Sequence, residues 1–299
     1  MTRSFAFLVN PTSGGGAAPA AVVPVARALR DAGCTVDVTY SPGPVACREL
    51  VAEAVGRGDV VVAVGGDGMV ASLAGAVVES GGVLGIVPSG RGNDFARQLG
   101  VGGEPEDVAA TLLKADPRRV DVIDVDGRTV VGSVYAGVDS LASELVDRAH
   151  RLPRSLQYPY AAVRSIVQFR PSSYDVVVDG RSHRFDAFTV VVANSGYYGS
   201  GMHIAPDAAP DDGVLDIVVI RASSKLRLIR SMPKLYDGTH VELPEVVVLR
   251  GREVSVSAAD PVQAYGDGER LEPLPFRATV RPAALRVLAP SVPNPRLDL

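Results

Sequence analysis

The chain has 299 residues, of which 46% are hydrophobic and 21% are charged, and its formal net charge is −4. This length suits two domains with sizeable hydrophobic cores, and the mildly acidic balance argues against a general nucleic-acid-binding protein. No apolar stretch approaches the roughly 20 residues that a membrane-spanning helix needs, and the short apolar run near the N-terminus predicts a strand rather than a secretory signal.

The first half of the chain alternates strand-like and helix-like segments. Apolar or alternating runs predict strands at 5–10, 35–40, 59–64 and 82–88. Segments with helical spacing or a helix-capping residue predict helices at 20–32, 44–56, 69–80 and from 93 onward. The run DVVVAV at 59–64 is typical of a parallel strand that is buried on both faces. This alternation predicts an open parallel α/β sheet.

After about residue 120 the chain becomes rich in strands. Several strand-like runs are joined by Asp-Gly pairs, which are a strong hairpin signal. A second domain of antiparallel strands is therefore expected. We place the first domain at 1–126 and the second at 127–284, with the end of the chain, 285–299, able to pack back on the first domain.

The stretch GGDG at 65–68 lies between a predicted strand and a predicted helix. Backbone N–H groups at a helix N-terminus suit phosphate, and glycines let the backbone approach it. Asp67 would repel phosphate unless a cation such as Mg²⁺ lies between them. A P-loop is excluded because no lysine precedes residue 114, and the nearest dinucleotide fingerprint, at 90–95, lacks its third glycine. On these four residues alone, a plain turn remains an equal alternative.

Five short motifs carry a resemblance that covers nearly the whole chain. They are VNPTSGGG at 9–16, GGDG at 65–68, PSGRGNDFAR at 88–97, YYGSGMHIAPDAAPDDGVLDIVVI at 197–220 and GDGE at 266–269. In this order they resemble the diacylglycerol kinase catalytic-domain family, which includes bacterial diacylglycerol kinases and sphingosine kinases. The resemblance implies a Rossmann-like parallel α/β nucleotide-binding domain, similar to NAD kinase and phosphofructokinase, followed by a β-sandwich domain that takes the lipid. The active site would lie in the cleft between them.

The same resemblance implies roles for individual residues. Asp67 would help to hold the catalytic Mg²⁺, and Asp267 would be the general base, as suits a group that must hydrogen-bond to an alcohol. Asp212 and the carbonyl of Leu215 resemble a second, structural Mg²⁺ site. Asp121 matches an Asp that follows the crossover between the domains. The residues implied for nucleotide binding are Asn10, Pro11, Ser13, Gly14, Gly65, Gly66, Asp67, Gly68, Gly92, Asn93 and Glu269, and to these we add Arg91 on the chemistry of its side chain alone.

The chain departs from the family pattern at two places. The family usually has Thr after GGDG and Asn-Glu shortly afterwards, whereas this chain has Met69-Val70-Ala71-Ser72. The usual Gly-Thr-Gly-Asn is Gly90-Arg91-Gly92-Asn93. Arg91 could bind phosphate through two parallel hydrogen bonds, and a solvated loop side chain is the alternative.

The implied activity is that of a lipid kinase that uses ATP and Mg²⁺ to phosphorylate the hydroxyl of a diacylglycerol-like lipid. Two alternatives stay open: a kinase for another lipid alcohol, such as a sphingoid base or an isoprenoid alcohol, and a nucleotide-binding regulatory protein with little kinase activity. A NAD kinase shares GGDG, but the remaining motifs match the lipid branch.

A lipid kinase must reach a bilayer without spanning it. Residues 221–234, RASSKLRLIRSMPK, contain five basic residues, no acidic residue and interleaved apolar side chains, a pattern that suits an anionic membrane surface. Residues 152–170 are a second candidate, and for both segments an ordinary helix packed on the core is the alternative. We expect a cytoplasmic, peripherally membrane-associated protein with two reduced cysteines and no nucleic-acid partner, and leave a homodimer open.

Overall fold

A computed structural model describes residues 3–41, 43–90, 92–148 and 154–290. Its strands join in one continuous hydrogen-bonded network that passes from a parallel sheet into antiparallel strands. Within the described residues, no helix combines the length and apolar character needed to cross a bilayer. Cys34 and Cys47 are both buried and are not joined in a disulfide.

The first part of the fold is a parallel sheet with helices on both faces. Its strands are β1 (Ser4–Val9), β2 (Thr35–Tyr40), β3 (Val60–Gly65) and β4 (Leu84–Pro88), in the order β4-β3-β1-β2. Its helices are α1 (Ala18–Asp31), α2 (Pro44–Gly56), α3 (Asp67–Ser80), α4 (Asp94–Gln98) and α5 (Pro105–Lys114). The α/β alternation expected from the sequence is confirmed.

Strand β3 shows why the sheet is covered on both sides. Val61 and Ala63 pack in a core that includes α2 and α3, whereas Val62 and Val64 pack in a core that includes α1 and α5. Because successive side chains of a strand point to opposite faces, an unbroken apolar run is stable only where both faces are buried. The expectation for residues 59–64 is therefore confirmed.

The second part of the fold is a β-sandwich with helices inserted between its strands. Its strands are β5 (Pro117–Val125), β6 (Arg128–Val130), β7 (Ser133–Gly137), β8 (Ser172–Val178), β9 (Arg181–Ala193), β10 (Leu215–Arg221), β11 (Val246–Gly251), β12 (Glu253–Ala258), β13 (Gln263–Gly266), β14 (Glu269–Pro273) and β15 (Phe276–Leu288). Its helices are α6 (Val138–Arg148), α7 (Arg154–Gln168), α8 (Lys225–Ser231) and α9 (Lys234–Asp237). Helix α6 is not predicted by the sequence pattern.

The long strand β9 separates two cores of this second part. Val190 and Val192 point into the core of the sandwich, while Val191 and Ala193 point the other way, into a core shared with α6, α7 and α8. The helices therefore cover a face of the sheet that would otherwise expose apolar side chains to water.

Strands β5 and β15 join the two parts. They pair with each other in antiparallel fashion, and the end of β15 also pairs with β4, where Val287 lies opposite Leu84. The described end of the chain, 285–290, thus returns to the parallel sheet, while 291–299 lie outside the described residues.

Candidate active site

A cavity of about 930 Å³ lies where the loops that follow β1, β3 and β4 meet the second part of the fold. The carboxyl ends of parallel strands gather at one edge of a sheet, and this edge is the usual ligand site of an open α/β fold. Both parts of the chain contribute to the cavity wall, from Ser13 and Asp67 in the first to Tyr198 and Asp267 in the second.

Glycines allow the three loops to pack backbone against backbone. A Cβ atom added to Gly14, whose φ is +61°, would lie 2.2 Å from the carbonyl oxygen of Ser89. A Cβ on Gly90 would lie 2.4 Å from the Cα of Gly66. No side chain can be accommodated at such distances, so the close approach of the loops requires glycine at these positions.

Side chains then fix these loops in place. The hydroxyl of Ser13 accepts a hydrogen bond from the N–H of Gly66 at 2.9 Å. Asn93 closes its own loop, since it accepts from the N–H of Gly90 at 2.8 Å and donates to the Gly90 carbonyl at 3.1 Å. Asn10 accepts from the N–H and the hydroxyl of Thr12 at 3.1 and 2.9 Å. These three predicted nucleotide-binding residues hold the loops of the site in their conformation.

The Ser13 contact changes which backbone groups can meet a phosphate. The sequence interpretation gave this role to the glycine amides of GGDG, but the N–H of Gly66 is already donated to Ser13. The N–H groups of Asp67 and Gly68 lie in the first turn of α3, where a helix has no internal partners for its donors. The N–H of Asp67 faces its own carboxylate and that of Met69 is donated to the Gly66 carbonyl, so among the described residues of this turn the N–H of Gly68 is the donor left for a phosphate.

The other predicted nucleotide-binding residues do not all lie at the cavity. Pro11 is exposed beside the first loop, and Gly65 lies against Met69, whose Cβ would be 2.7 Å from a Cβ on Gly65. Glu269 is exposed at the cavity edge, with its carboxylate 3.4 Å from the Cβ position of Gly68. Arg91 lies outside the described residues.

The two departures after GGDG do not reach the cavity. Met69 is buried and belongs to the core beneath the parallel sheet, whereas Ser72 is exposed on α3. Neither residue is among the described residues that line the cavity. The cavity therefore keeps its carboxylates despite these replacements.

Asp67 and Asp94 face each other across Gly92. A Cβ on Gly92 would lie 2.9 Å from a carboxylate oxygen of Asp67 and 3.0 Å from one of Asp94. Asp67 accepts from the N–H of Phe95 at 3.3 Å. Burial raises the pKa of Asp67, and burial together with the neighbouring Asp67 charge raises the pKa of Asp94 to about 6.

Asp94 was not predicted as a site residue from the sequence, where it lies in the segment expected to begin a helix. Its carboxylate instead accepts from the N–H groups of Ser200 and Gly201 at 2.9 and 2.7 Å. These donors come from a segment more than a hundred positions away, which no local pattern reveals. The available signal was an acidic residue directly after Asn93 in the loop that follows a buried strand.

Asp267 is held in the hairpin turn between β13 and β14, with φ +50°. One of its oxygens accepts from Gly132 and Ser133 N–H groups at 2.8 and 3.1 Å, and the other accepts from Val131 at 2.7 Å. Burial outweighs these three bonds and raises the pKa of Asp267 to about 6, with a smaller contribution from the charge of Asp67. The second oxygen keeps room for one more donor.

The residues at the polar end suit a Mg²⁺ ion that is shared with a phosphate. Mg²⁺ in nucleotide sites is commonly held by one or two carboxylates and completed by phosphate oxygens and water. Asp67 and Asp94 supply two carboxylates beside the N-terminus of α3. No group of three or more His, Cys, Asp or Glu side chains is arranged around a common point among the described residues, and phosphate oxygens and water would supply the other ligands.

The predicted structural Mg²⁺ site at Asp212 and Leu215 does not fit the geometry. The carboxylate of Asp212 is ion-paired with the guanidinium of Arg250 and also accepts from the N–H of Val214 at 3.1 Å. The same guanidinium lies 3.2 Å from the buried carboxylate of Asp216. Arg250 therefore supplies the positive charge that a cation would bring to this loop.

Asp121 stabilises the loop that precedes β10 through hydrogen bonds. Its buried carboxylate accepts from the N–H groups of Gly213 and Ala283, both at 2.7 Å. The first donor belongs to the loop before β10 and the second to β15, so Asp121 links three segments where the two parts of the chain meet.

The opposite end of the cavity is apolar. Its wall is built by α6, α7 and α8 and the residues that follow α8, and it contains Val138, Ala142, Ile166, Leu228, Met232 and Leu235. A cavity with paired carboxylates at one end and aliphatic side chains at the other suits a ligand with a polar head and a long apolar chain.

Two family models match this chain, one over each part of the fold. A family model described as "Diacylglycerol kinase catalytic domain" matches residues 4–125, and one described as "YegS C-terminal NAD kinase beta sandwich-like domain" matches residues 132–289. A diacylglycerol kinase of Mycobacterium tuberculosis strain H37Rv is 33% identical over 293 residues, which cover 95% of this chain and 94% of the relative. A diacylglycerol kinase of Bacillus subtilis strain 168 is 24% identical, and the match covers 88% of each chain.

A crystal structure of a diacylglycerol kinase from Bacillus anthracis strain Sterne has the same fold. The two structures superimpose with a TM-score of 0.72 at 17% sequence identity, and the match covers 97% of each chain.

Proposed function

The chain belongs to the diacylglycerol kinase family and is a lipid kinase, and from this premise we propose that it transfers the γ-phosphate of ATP to the hydroxyl of a diacylglycerol-like lipid with the help of Mg²⁺. The observation that supports this reaction is the single cavity that joins Asp67, Asp94 and Asp267 to an apolar wall. The nucleotide and the lipid could therefore bind in the same cavity, with their reacting groups beside the carboxylates.

The nucleotide would lie against the three glycine loops, with its phosphates at the N-terminus of α3. The N–H of Gly68 would donate to a phosphate oxygen, and the positive end of the helix dipole favours the same negative charge. When bound to Asp67 and Asp94, Mg²⁺ would neutralise the charge that phosphoryl transfer develops. These contacts are made by preorganised groups, which is where most catalysis of this reaction arises.

Asp267 would act on the acceptor hydroxyl. Its carboxylate is held by three backbone N–H groups and cannot rotate away, and one acceptor position on the second oxygen remains. A hydroxyl that hydrogen-bonds there loses its proton to the carboxylate as the phosphoryl group arrives. The raised pKa of Asp267, about 6, makes it a stronger base than an ordinary carboxylate and still leaves it ionised at neutral pH.

One observation favours the alternative acceptor, a sphingoid base. Asp139 also lines the cavity, at the start of α6, and its carboxylate accepts from the hydroxyl of Thr189 at 2.7 Å and from that of Tyr198. Burial raises the pKa of Asp139, and a carboxyl group in this wall can form a hydrogen bond with an ammonium or a second hydroxyl, which a sphingoid base has. The ester oxygens of a diacylglycerol cannot donate to it.

The test is transfer of labelled γ-phosphate from ATP to a panel of lipids in mixed micelles, with and without Mg²⁺. We expect label in one lipid class, and we expect Asp267→Asn to lower kcat by about 10²–10⁴-fold because the general base is lost. Asp126→Asn is the matched control, since Asp126 also precedes glycine in a hairpin turn with positive φ but is exposed and away from the cavity. Label in sphingoid bases alone would select the alternative, and no transfer to any lipid despite ATP binding would contradict both.

A further inference from the structure

We infer that α7, α8 and α9 form the surface by which this chain docks on an anionic lipid bilayer, so that the acceptor enters the cavity directly from the membrane. The inference rests on the proposed function only in that a lipid is the acceptor. The sequence analysis treated residues 152–170 and 221–234 as separate candidates. The structure brings their described parts together, because Lys225 at the start of α8 donates a hydrogen bond to the carbonyl of Val167 near the end of α7.

Exposed apolar side chains concentrate on these three helices. Among the described residues, eight large hydrophobic side chains are exposed, and five of them lie here. They are Tyr160, Val163 and Val167 on α7, Leu226 on α8 and Tyr236 on α9. Single exposed apolar residues are ordinary, but a group on neighbouring elements marks an interaction surface.

Helix α7 has one face for the cavity and another for the surroundings. Ala161, Ser165 and Ile166 line the cavity, whereas Val163 and Val167 are exposed. Helix α8 is divided in the same way, since Leu228 lines the cavity and Leu226 is 57% exposed. The wall of the apolar end of the cavity is thus only one helix thick, and its outer side is also apolar.

Positive charge accompanies the apolar side chains. Arg230 and Lys234 are exposed, and neither side chain makes a hydrogen bond or ion pair within the described residues, although Lys234 lies near the carboxylate of Asp237. Arg170, just after α7, is exposed as well. The helices α7, α8 and α9 contain one acidic residue, the exposed Asp237 at the end of α9, although the whole chain has a net charge of −4. This local excess complements an anionic surface.

Arg227 of this surface forms an ion pair that stabilises the fold. Arg227 lies 2.8 Å from Glu245, whose side chain is only 10% exposed. Reversing the charge of Arg227 would leave a nearly buried carboxylate beside another one and would damage the fold. The free charges for a docking test are therefore Arg230 and Lys234.

A bilayer fits this surface better than a second copy of the chain. The acceptor proposed above is insoluble in water and resides in a membrane, and Tyr236 on this surface also lines the cavity. Tyrosine and aliphatic side chains beside lysine and arginine form the composition of interfacial helices. A protein partner would cover the route by which a lipid reaches the cavity.

The experiment measures sedimentation of the full chain with vesicles of phosphatidylcholine, with and without phosphatidylserine, in the absence of ATP and acceptor. We expect the double change Arg230→Glu and Lys234→Glu to lower the affinity for phosphatidylserine vesicles by about tenfold or more. Val167→Ser with Leu226→Ser should lower binding to both kinds of vesicle. Val23→Ser and Arg48→Glu are controls, because both residues are exposed on other helices.

A second measurement separates docking from folding and from catalysis. The docking variants should keep ATP binding and should keep their rate on a short-chain acceptor that dissolves in water, while losing the rate on acceptor in vesicles. Because vesicle binding needs no turnover, failure of the proposed reaction would leave it unaffected. Unchanged vesicle binding in both double variants would overturn the inference, as would a dimer in light scattering that Leu226→Ser dissociates without any effect on vesicle binding.

Discussion

At the scale of single residues, three carboxylates dominate the polar end of the cavity. Asp94 and Asp267 have pKa values raised to about 6, and that of Asp67 is raised too, with burial as the largest cause in each case. The unfolded chain releases these protons at lower pH than the folded chain. The folded state therefore binds more protons between about pH 4 and pH 6, and its stability falls as pH rises through this window.

This linkage predicts a change in the pH dependence of stability for Asp94→Asn. Without divalent cations, the free energy of unfolding of the wild type should fall by up to about 3 kcal/mol between about pH 4 and pH 7 through Asp94 alone. The variant should lose that part of the slope, whatever its absolute stability. Urea unfolding at several pH values checks this. Asp124→Asn is a suitable control, since Asp124 lies outside the cavity and accepts from the N–H of Gly127 at 2.9 Å. If the pH dependence of stability is unchanged in Asp94→Asn, the raised pKa of Asp94 is contradicted.

At the scale of elements, the three loops after β1, β3 and β4 act as one unit. The contact between Gly66 and Gly90 lets the loops touch, and the hydroxyl of Ser13 fixes their relative position. Each loop has its own glycine-rich motif in the sequence, so their existence is predictable. Which glycine meets which is decided by the order of the strands in the sheet.

Gly90→Ala tests whether this close approach is needed for nucleotide binding. A Cβ at this position would lie 2.4 Å from the Cα of Gly66, so the loops must separate. We expect ATP binding to weaken at least tenfold, with a loss of about 1–3 kcal/mol of stability from overpacking. Gly103→Ala is the matched control, because nothing lies within 4 Å of a Cβ at that position. Isothermal titration with ATP compares the two variants, and equal affinities would rule out the steric role of Gly90.

At the scale of the whole molecule, a protein side chain supplies the positive charge beside the loop that precedes β10, where a structural cation was expected. Arg250 neutralises Asp212 and the buried Asp216, and Asp121 links the preceding loop to β15. The expectation of Mg²⁺ at Asp212 came from the motif alone. The motif does not show that β11 pairs with β10 and places Asp216 directly opposite Arg250.

Metal removal and Arg250→Met test this substitution of an arginine for a cation. Chelation should leave the thermal midpoint of the wild type unchanged in the absence of nucleotide. Arg250→Met should lower the free energy of unfolding by about 1–3 kcal/mol, because the buried carboxylate of Asp216 loses its partner. This range lies below that of a fully buried pair because the side chain of Arg250 is half-exposed. Arg252→Met, in the turn after β11, is the control. A wild type that loses stability on chelation would show that a cation binds here after all.

The sequence by itself determined the α/β order, the unbroken apolar run of β3 and the motifs that imply a lipid kinase, because these features depend on local pattern and on short stretches of fixed spacing. Tertiary structure alone decided that Asp94 faces Asp67, that the N–H of Gly66 is donated to Ser13 and that Arg250 neutralises the loop at Asp212. It also brought α7 and α8 into one surface. The physical reason is common to all four. Hydrogen bonds and charge pairs act over a few ångströms in space, and the partners lie between roughly thirty and sixty positions apart along the chain, where periodicity carries no information.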